Sequence, residues 1–474
     1  MIEEQAPSLL VERAQEARTA RFWTRWRVIW WVVALLALAG LTRYGYGSAQ
    51  VWRGDDAQLY LGLEQLFQNK TFYQNLDYTR LVGPGVAVPE SDRALPNAYP
   101  PHTALFYLPF YALPWSASHR LWYFFNIACL VGLGVALFQQ FGKRLPRAAL
   151  PLWLLALFLS TPPYSIARYG GISFPVILGL TLAWRWAGRP GVRATWLAGL
   201  FYTIALIKPS LSLPFLIYHL IRRDTRQATL CGLGITLALT LLVAFIGNGP
   251  VAMLGEYRAT IKGLTAVGAI NDTGFLGMRR YYMTHTGVLA FDLIRLVNGV
   301  HPGAETAREL MMARLLEAAF ALPFSVFFVC YALRLNRLRS GEGQAAALDT
   351  WALAGLSAFS LLAVYHVWLD LGLLYLPAIV VLNALADPDD RRRAALWALL
   401  ANLFLLLFVL ARDRVIQLAP GALRMSFAAL SFQAARILLV VLLVQLVVEM
   451  TARFGRAEEQ RWKADASPQA SLVE

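Results

Sequence analysis

The stretch RTARFWTRWRVIWWVVALLALAGL, residues 18–41, reads in two halves. Its first ten residues carry four arginines, and its last fourteen carry no charge at all. An apolar helix needs about 20 residues to cross the hydrocarbon of a bilayer. Lys and Arg beside such a helix hold that end on the cytoplasmic side. No A-x-A-like cleavage site follows the run, so it reads as a retained first helix over about 27–44. Fold class then turns on whether the rest of the chain repeats the pattern.

The pattern repeats along the whole length. The 474 residues are 58% hydrophobic and 15% charged, whereas a soluble domain carries about 25% charged residues. Apolar runs of near-spanning length recur, which predicts an all-α polytopic membrane protein. The net charge of +14 raises nucleic acid as a partner, but the position of the charge excludes it. The cations sit in short hydrophilic breaks: GKRLPR (142–147), GRPGVR (188–193), IRRDTRQ (221–227), RLNRLRS (334–340), DDRRRA (389–394) and RFGRAEEQRWK (453–463). Such breaks mark cytoplasmic loops. Cys129, Cys231 and Cys330 lie inside apolar runs without metal or disulfide spacing, and they read as buried small hydrophobes.

With the basic breaks set inside, the helices alternate. Helix one runs outward, and an outer segment covers 45–100. PPHTALFYLPFYALP is short and bounded by prolines, so 101–114 reads as a re-entrant or interfacial helix. The crossings that follow are 118–141, 148–163, 172–187, 194–207, 210–221 and 228–248; after an outer loop over 249–312 come 313–335, 350–365, 371–386, 394–411 and 430–450. The expected bundle has about twelve crossings. It spans 27–451, between a cytoplasmic segment 1–26 and a loosely ordered cytoplasmic tail 452–474. A plasma or inner membrane location, with both termini cytoplasmic, goes with this reading.

That parity gathers ionisable residues at the outer face. VWRGDDAQLYLGLEQLF (51–67) places Asp55 and Asp56 side by side at the start of an amphipathic segment. They read either as helix-start acids or as a general base held beside a reacting hydroxyl, and residue type does not choose between the neighbours. Tyr99 and His102 sit on a proline-stiffened wall, YPPH. Lys208, at membrane depth, either snorkels or meets an anion such as phosphate. Arg279 and Arg280 in GFLGMRRYYMTH form a second candidate anion site. His366 and Asp370 stand at i and i+4, one face of a helix, and Arg168 falls near the same surface. GxxxxGK[ST], HExxH and GxSxG are absent, as are metal-spaced Cys/His clusters, so neither a nucleotide-driven pump nor a metal site is expected.

Four segments resemble glycosyltransferase family 87. They are the D-x-x-x-Y from Asp56 to Tyr60, YPPHTALFYLPFYALP with LWYFFNIACL (99–114 and 121–130), IKPSLSLPFLIYHLIRR (207–223), and YHVWLDLGLLYLP (365–377). The likeness covers about 27–385. In one departure, Gly170-Gly171 stands where the family often has Gly-Gln, which bears on the donor-head contacts. The resemblance implies a GT-C fold and a polyprenyl-phosphate-linked sugar donor, such as a mannosyl one. It implies transfer with inversion on the outer face to a glycolipid or glycan hydroxyl. Asp56 is then the base, supported by Asp55. Lys208, Arg279, Arg280 and His366 serve the leaving phosphate, and Tyr60, Tyr99, His102 and Asp370 line the substrate pocket. No cofactor is required, although a divalent cation fits the same chemistry. The competing class is a polytopic transporter or flippase, which more often shows repeated halves and broken midplane helices.

Overall fold

The computed structural model describes residues 26–45, 55–74, 76–81, 97–264, 307–338, 342–363, 368–388, 390–409 and 424–466, with Leu289 and Ile294 singly. Among the described residues every regular element is helical. Helix α1 is Trp26–Gly45. Then come α2 (Asp55–Asn69), α3 (Thr103–Tyr111), α4 (Trp115–Phe141), α5 (Leu150–Leu159), α6 (Thr161–Tyr169), α7 (Ser173–Ala187) and α8 (Val192–Ala205). They are followed by α9 (Pro209–Ile221), α10 (Arg226–Ile246), α11 (Pro250–Leu264), α12 (Ala307–Leu335) and α13 (Glu342–Ala363). A 3-10 helix, Trp368–Leu374, leads into α14 (Tyr375–Leu385), α15 (Arg393–Phe404) closes on a π turn at Leu405–Val409, and α16 is Arg424–Ala466. Helices α1, α4, α10, α12, α13 and α16 contain stretches long and apolar enough to cross a bilayer. The chain is a multi-pass membrane protein.

The polar residues sort to two ends of the bundle. At one end the basic breaks hold each other. Arg144 binds Asp387 at 2.5 Å, and Arg222 binds Asp224 at 2.8 Å and reaches Asp349 at 3.5 Å. Asn336 donates to the Ile221 carbonyl at 2.8 Å. Arg453 binds Asp390 at 2.6 Å and lies over the Trp351 ring, 4.4 Å from its centroid. Arg392 binds Glu449 at 2.6 Å. Ion pairs of this kind satisfy charge that the apolar bundle cannot solvate. At the other end lie Asp55, Asp56, Gly170, Ser173, Lys208 and Asp370. Helices α4, α7, α9, α13 and α14 join the two ends.

Between the ends, helices pack through small residues. A Cβ at Gly232 would sit 2.6 Å from the Tyr202 Cβ and 3.0 Å from the Gly199 carbonyl oxygen. The backbones of α8 and α10 therefore approach closely, as small residues allow in membrane interiors. The Thr203 hydroxyl spans that contact, 3.0 Å from the Gly199 carbonyl and 3.2 Å from the Gly232 carbonyl.

The structure refines several expectations. Helix α3 has nine residues, about 13 Å at 1.5 Å each, too short to cross, as its prolines predicted. The crossing expected over 148–163 is broken: α5 ends at Leu159 and α6 restarts at Thr161 with Pro162 and Pro163 in its first turn, where missing N–H groups do no harm. Ser160 at the break donates to the Leu157 carbonyl and pairs with the Tyr375 hydroxyl at 2.6 Å. The tail expected to be loose after 452 is helical to Ala466, because Arg453 is held by Asp390, Phe454 and Ala457 are buried, and Glu459 pairs with Lys463. Cys330 is exposed on the bundle surface, whereas Cys129 is buried as expected and Cys231 is half-buried. Asp370 stands on a 3-10 turn; His366, read as its i, i+4 partner, lies outside the described residues.

The α8–α10 contact makes a controlled prediction. Gly232→Ala forces a clash and should cost about 1–3 kcal/mol, the usual range for overpacking. Gly234, with nothing within 4 Å of its would-be Cβ, is the matched control, and Gly234→Ala should be neutral or stabilising. Thermal midpoints of the two purified variants in detergent check this, and equal midpoints contradict the close approach.

Candidate active site

Helix α2 opens with Asp55 and Asp56 in its first turn, where negative charge meets the positive end of the helix dipole. The two neighbours then diverge. Asp56 is fully buried. Its Oδ2 accepts a short hydrogen bond from Nδ1 of His119, one helix turn into α4. Its Oδ1 is buried and has no hydrogen-bond partner among the described residues. That oxygen lies against the Gly170 turn, where a Cβ on Gly170 would fall 2.2 Å away. Gly170 has φ +60°, the left-handed region, and it ends α6. Trp122 of α4 pins the turn by donating its indole N–H to the Gly170 carbonyl at 2.8 Å.

Asp55 is only half-buried and faces Lys208, Asp370 and the Tyr99 hydroxyl, from which it accepts a hydrogen bond. Burial pushes its carboxyl above the ordinary carboxylate range, and the Lys208 charge and the Tyr99 bond oppose that shift. Lys208 caps α9 just before Pro209. Its Nζ donates to both oxygens of the fully buried Asp370, at 2.7 and 2.9 Å. Ser173, the first residue of α7, donates to Asp370 Oδ1 at 2.5 Å. Tyr78 lies buried beside both Asp55 and Asp56, and its hydroxyl has no partner among the described residues. Its ionisation is pushed up by burial first and by the two carboxylates second. No group of three His, Cys, Asp or Glu side chains among the described residues is placed to hold a metal ion.

A cavity of about 360 Å³ adjoins this cluster. Its walls are almost wholly apolar: Pro100 and Pro101, Leu206 and Pro209, Leu237 and Leu241 of α10, and Met253 of α11. Two wall segments face both ways. Tyr99 turns to the carboxylates while Pro100, Pro101 and His102 turn to the cavity, and Lys208 turns to Asp370 while Leu206 and Pro209 turn to the cavity. His102 is buried, and neither ring nitrogen has a hydrogen-bond partner beyond a weak contact with the Thr203 backbone. Burial pushes its pKa down to about 4, so it is neutral near pH 7.

The fold thus brings Asp55, Asp56, Tyr99, Lys208 and Asp370 together. It places His102 in the apolar chamber instead. Tyr60 stands apart, among Tyr111 and Trp115, with its hydroxyl donating to the Leu113 carbonyl. Arg279, Arg280 and His366 lie outside the described residues, as does the side chain of Arg168. Sequence reading missed His119, Ser173 and Tyr78. A signal for His119 existed, since an ionisable residue inside an apolar run is costly without a partner.

The model of glycosyltransferase family 87 matches residues 97–363. That is more than half of the chain, and the chain belongs to this family. It is a membrane glycosyltransferase, and the transporter reading is not favoured. The match is narrower than the resemblance drawn over 27–385: it begins after Asp55, Asp56 and Tyr60 and ends before His366 and Asp370. The carboxylates from both flanks reach the matched core through His119, Ser173 and Lys208. No curated protein and no solved structure matches the chain.

Proposed function

We propose that this glycosyltransferase takes its sugar from a polyprenyl-phosphate-linked donor and passes it, with inversion, to a hydroxyl of a lipid or glycan acceptor. The observation that carries the reading is an apolar cavity and a carboxylate cluster that share one wall. An isoprenoid chain suits the apolar cavity, which opens among membrane helices, and a sugar and an attacking hydroxyl suit the carboxylate cluster. The phosphate between them falls at the wall, where Lys208 stands. A mannosyl or other hexosyl or pentosyl head is the expected cargo, and family membership is what favours it.

In this reading Asp56 is the general base. The acceptor hydroxyl loses its proton to Asp56 as its oxygen attacks the anomeric carbon. The bond from that carbon to the phosphate oxygen breaks, and the polyprenyl phosphate leaves with the electron pair. Lys208 swings from Asp370 toward the developing phosphate charge, an electrostatic role, with Arg279, Arg280 and His366 as the further candidates. Asp55, Tyr99 and Asp370 line the sugar side, Tyr60 backs the helix that carries the base, and His102 offers a neutral hydrogen bond from the cavity side. No cofactor enters this scheme, because Lys208 supplies the positive charge. One observation favours a second assignment: Asp55 is the carboxylate with surface still open and with raised basicity, so it competes for the base role.

The proposed setting is a GT-C-type bundle of about twelve crossings in a plasma or inner membrane. The carboxylate end faces outward, and the mutually paired basic breaks and both termini face the cytoplasm. The Lys/Arg bias supports this orientation. Cysteines introduced at Lys143 and at Asn69 test it in intact cells: a membrane-impermeant maleimide should label the second and spare the first. Labelling of position 143 from outside would reverse the orientation.

Two conservative variants test the base. Asp56→Asn keeps the shape and removes the basicity, so turnover with a defined polyprenyl-phosphate sugar should fall about a hundredfold or more. Asp55→Asn should cost far less. Exchanged phenotypes give the role to Asp55, and near-normal turnover in both variants sinks the carboxylate-base reading.

A further inference from the structure

The Asp56 carboxylate is asymmetric, and the asymmetry is built by three other elements. Oδ2 is committed to His119 Nδ1. Oδ1 is buried and without a hydrogen-bond partner among the described residues, and it lies under the Gly170 turn. His119 is itself buried. Its ring packs on Trp115, 5.2 Å between centroids, and Trp115 packs on Tyr60 at 5.3 Å. Tyr60 is one helix turn beyond Asp56, so α2 both carries the carboxylate and, through Tyr60 and Trp115, braces the imidazole that holds it. A buried anionic oxygen with no donor is costly, and an incoming hydroxyl is a donor of the right kind.

We infer that His119 is a positioning residue that fixes Oδ2 of Asp56, so that Oδ1 is the atom that takes the acceptor's proton. The inference rests on the glycosyl-transfer reading and deepens it. With Asp56 ionised, the Nδ1–H of His119 donates to Oδ2, holding the carboxylate plane and stabilising its charged form. In the transfer step the acceptor O–H bond breaks, its proton goes to Oδ1, its oxygen bonds to the anomeric carbon, and the lipid phosphate departs with its electrons. His119 neither gains nor loses a proton in that step. Gly170, between α6 and α7, has φ +60°, a backbone conformation that other residues rarely adopt. A side chain at Gly170 has no room over Oδ1.

Several elements bring groups to face this carboxylate. Asp55 is its neighbour on α2, Tyr78 comes from the 3-10 turn at Tyr78–Leu81, Tyr99 from the wall segment, Tyr107 from α3, and His119 with the adjacent Arg120 from α4. Lys208 and Asp370 act on it at one remove, through Asp55. Of these, His119 alone is within hydrogen-bond distance of Asp56 among the contacts described. A hydrogen bond donated to a carboxylate favours its charged form in general, so the pH profile of turnover is the readout that loss of this contact should move.

The test compares three variants of the full-length protein, purified in detergent and assayed with a polyprenyl-phosphate sugar across pH. His119→Leu removes the donor. His119→Asn keeps an amide N–H near the Nδ1 position, and His119→Gln places one near the far ring nitrogen instead. We expect His119→Leu and His119→Gln to lose about ten- to a hundredfold in kcat with little change in donor KM. Their acidic limb should move up by about one to two pH units, and His119→Asn should recover most of both effects. If His119→Leu does not fold, the Asn and Gln pair carries the comparison. Unchanged kcat and pH profile in the Leu and Gln variants overturn the inference. A loss of kcat with an unmoved acidic limb, or with no difference between Asn and Gln, also overturns it and leaves His119 a packing residue. Near-normal turnover in Asp56→Asn overturns the base reading and this inference with it, whereas an inactive Asp56→Asn beside a normal His119→Gln overturns the inference alone.

Discussion

Charge inside an apolar bundle has to be answered by charge or by hydrogen bonds from another helix, and this constraint organises the molecule. Stranding one member of a buried ion pair costs about 3–5 kcal/mol. Asp370 is fully buried, and it is met by Lys208 from the start of α9 and Ser173 from the start of α7. Asp56 is fully buried, and it is met by His119 from α4. Each pair joins elements distant in sequence, 162 residues apart for Lys208 and Asp370 and 63 for Asp56 and His119. The same constraint at the other end pairs Asp390 with Arg453 and Glu449 with Arg392. The helices are tied at both ends by electrostatics and held between them by close backbone contact, as at Gly199 and Gly232.

The carboxylate end also stores what a transferase needs. Pairing offsets the cost of burying the Asp370 and Lys208 side chains. Where the pairing stops, at Oδ1 of Asp56 and at the His102 ring, hydrogen-bonding capacity is left over in buried positions. The first lies against the Gly170 turn in the carboxylate cluster and the second borders the apolar cavity, with prolines stiffening the wall between them. The proposed donor, half isoprenoid and half sugar phosphate, would meet both. This is the physical reason for reading a lipid-linked donor into a family-87 fold.

Much of this was legible in the sequence, because membrane-spanning helices announce themselves by composition and basic breaks by position. The short α3 followed from its prolines, and the gathering of Asp55, Asp56, Tyr99, Lys208 and Asp370 followed from parity. What could not be read was local. Ser160 and the two prolines after it break one crossing into two helices, and nothing in the apolar count marks that. The helical run past Arg453 depends on Asp390, which no local pattern connects to it beforehand. Lys208 read as a cation that snorkels or meets a phosphate, because its partner Asp370 lies far along the chain. His119 sat unremarked in an apolar run, and its role depends on a contact with α2 that only the fold supplies. Gly170-Gly171 read as a departure from a motif at its second position, whereas the missing Cβ of Gly170 is what lets the turn rest on a carboxylate.

The central claim is that Lys208, now held by Asp370, is the cation that a lipid-linked phosphate meets. Replacing both partners with apolar residues of similar size, Lys208→Met with Asp370→Leu, removes the charge without stranding its counterpart, which is often nearly neutral for stability. Binding of a polyprenyl phosphate to this double variant in nanodiscs, against the unaltered protein, is the direct measurement. A fold that keeps its thermal midpoint while its affinity drops about ten- to a hundredfold is the result expected from losing one charge-assisted hydrogen bond. An equally stable double variant that binds polyprenyl phosphate as tightly as the parent would contradict the account.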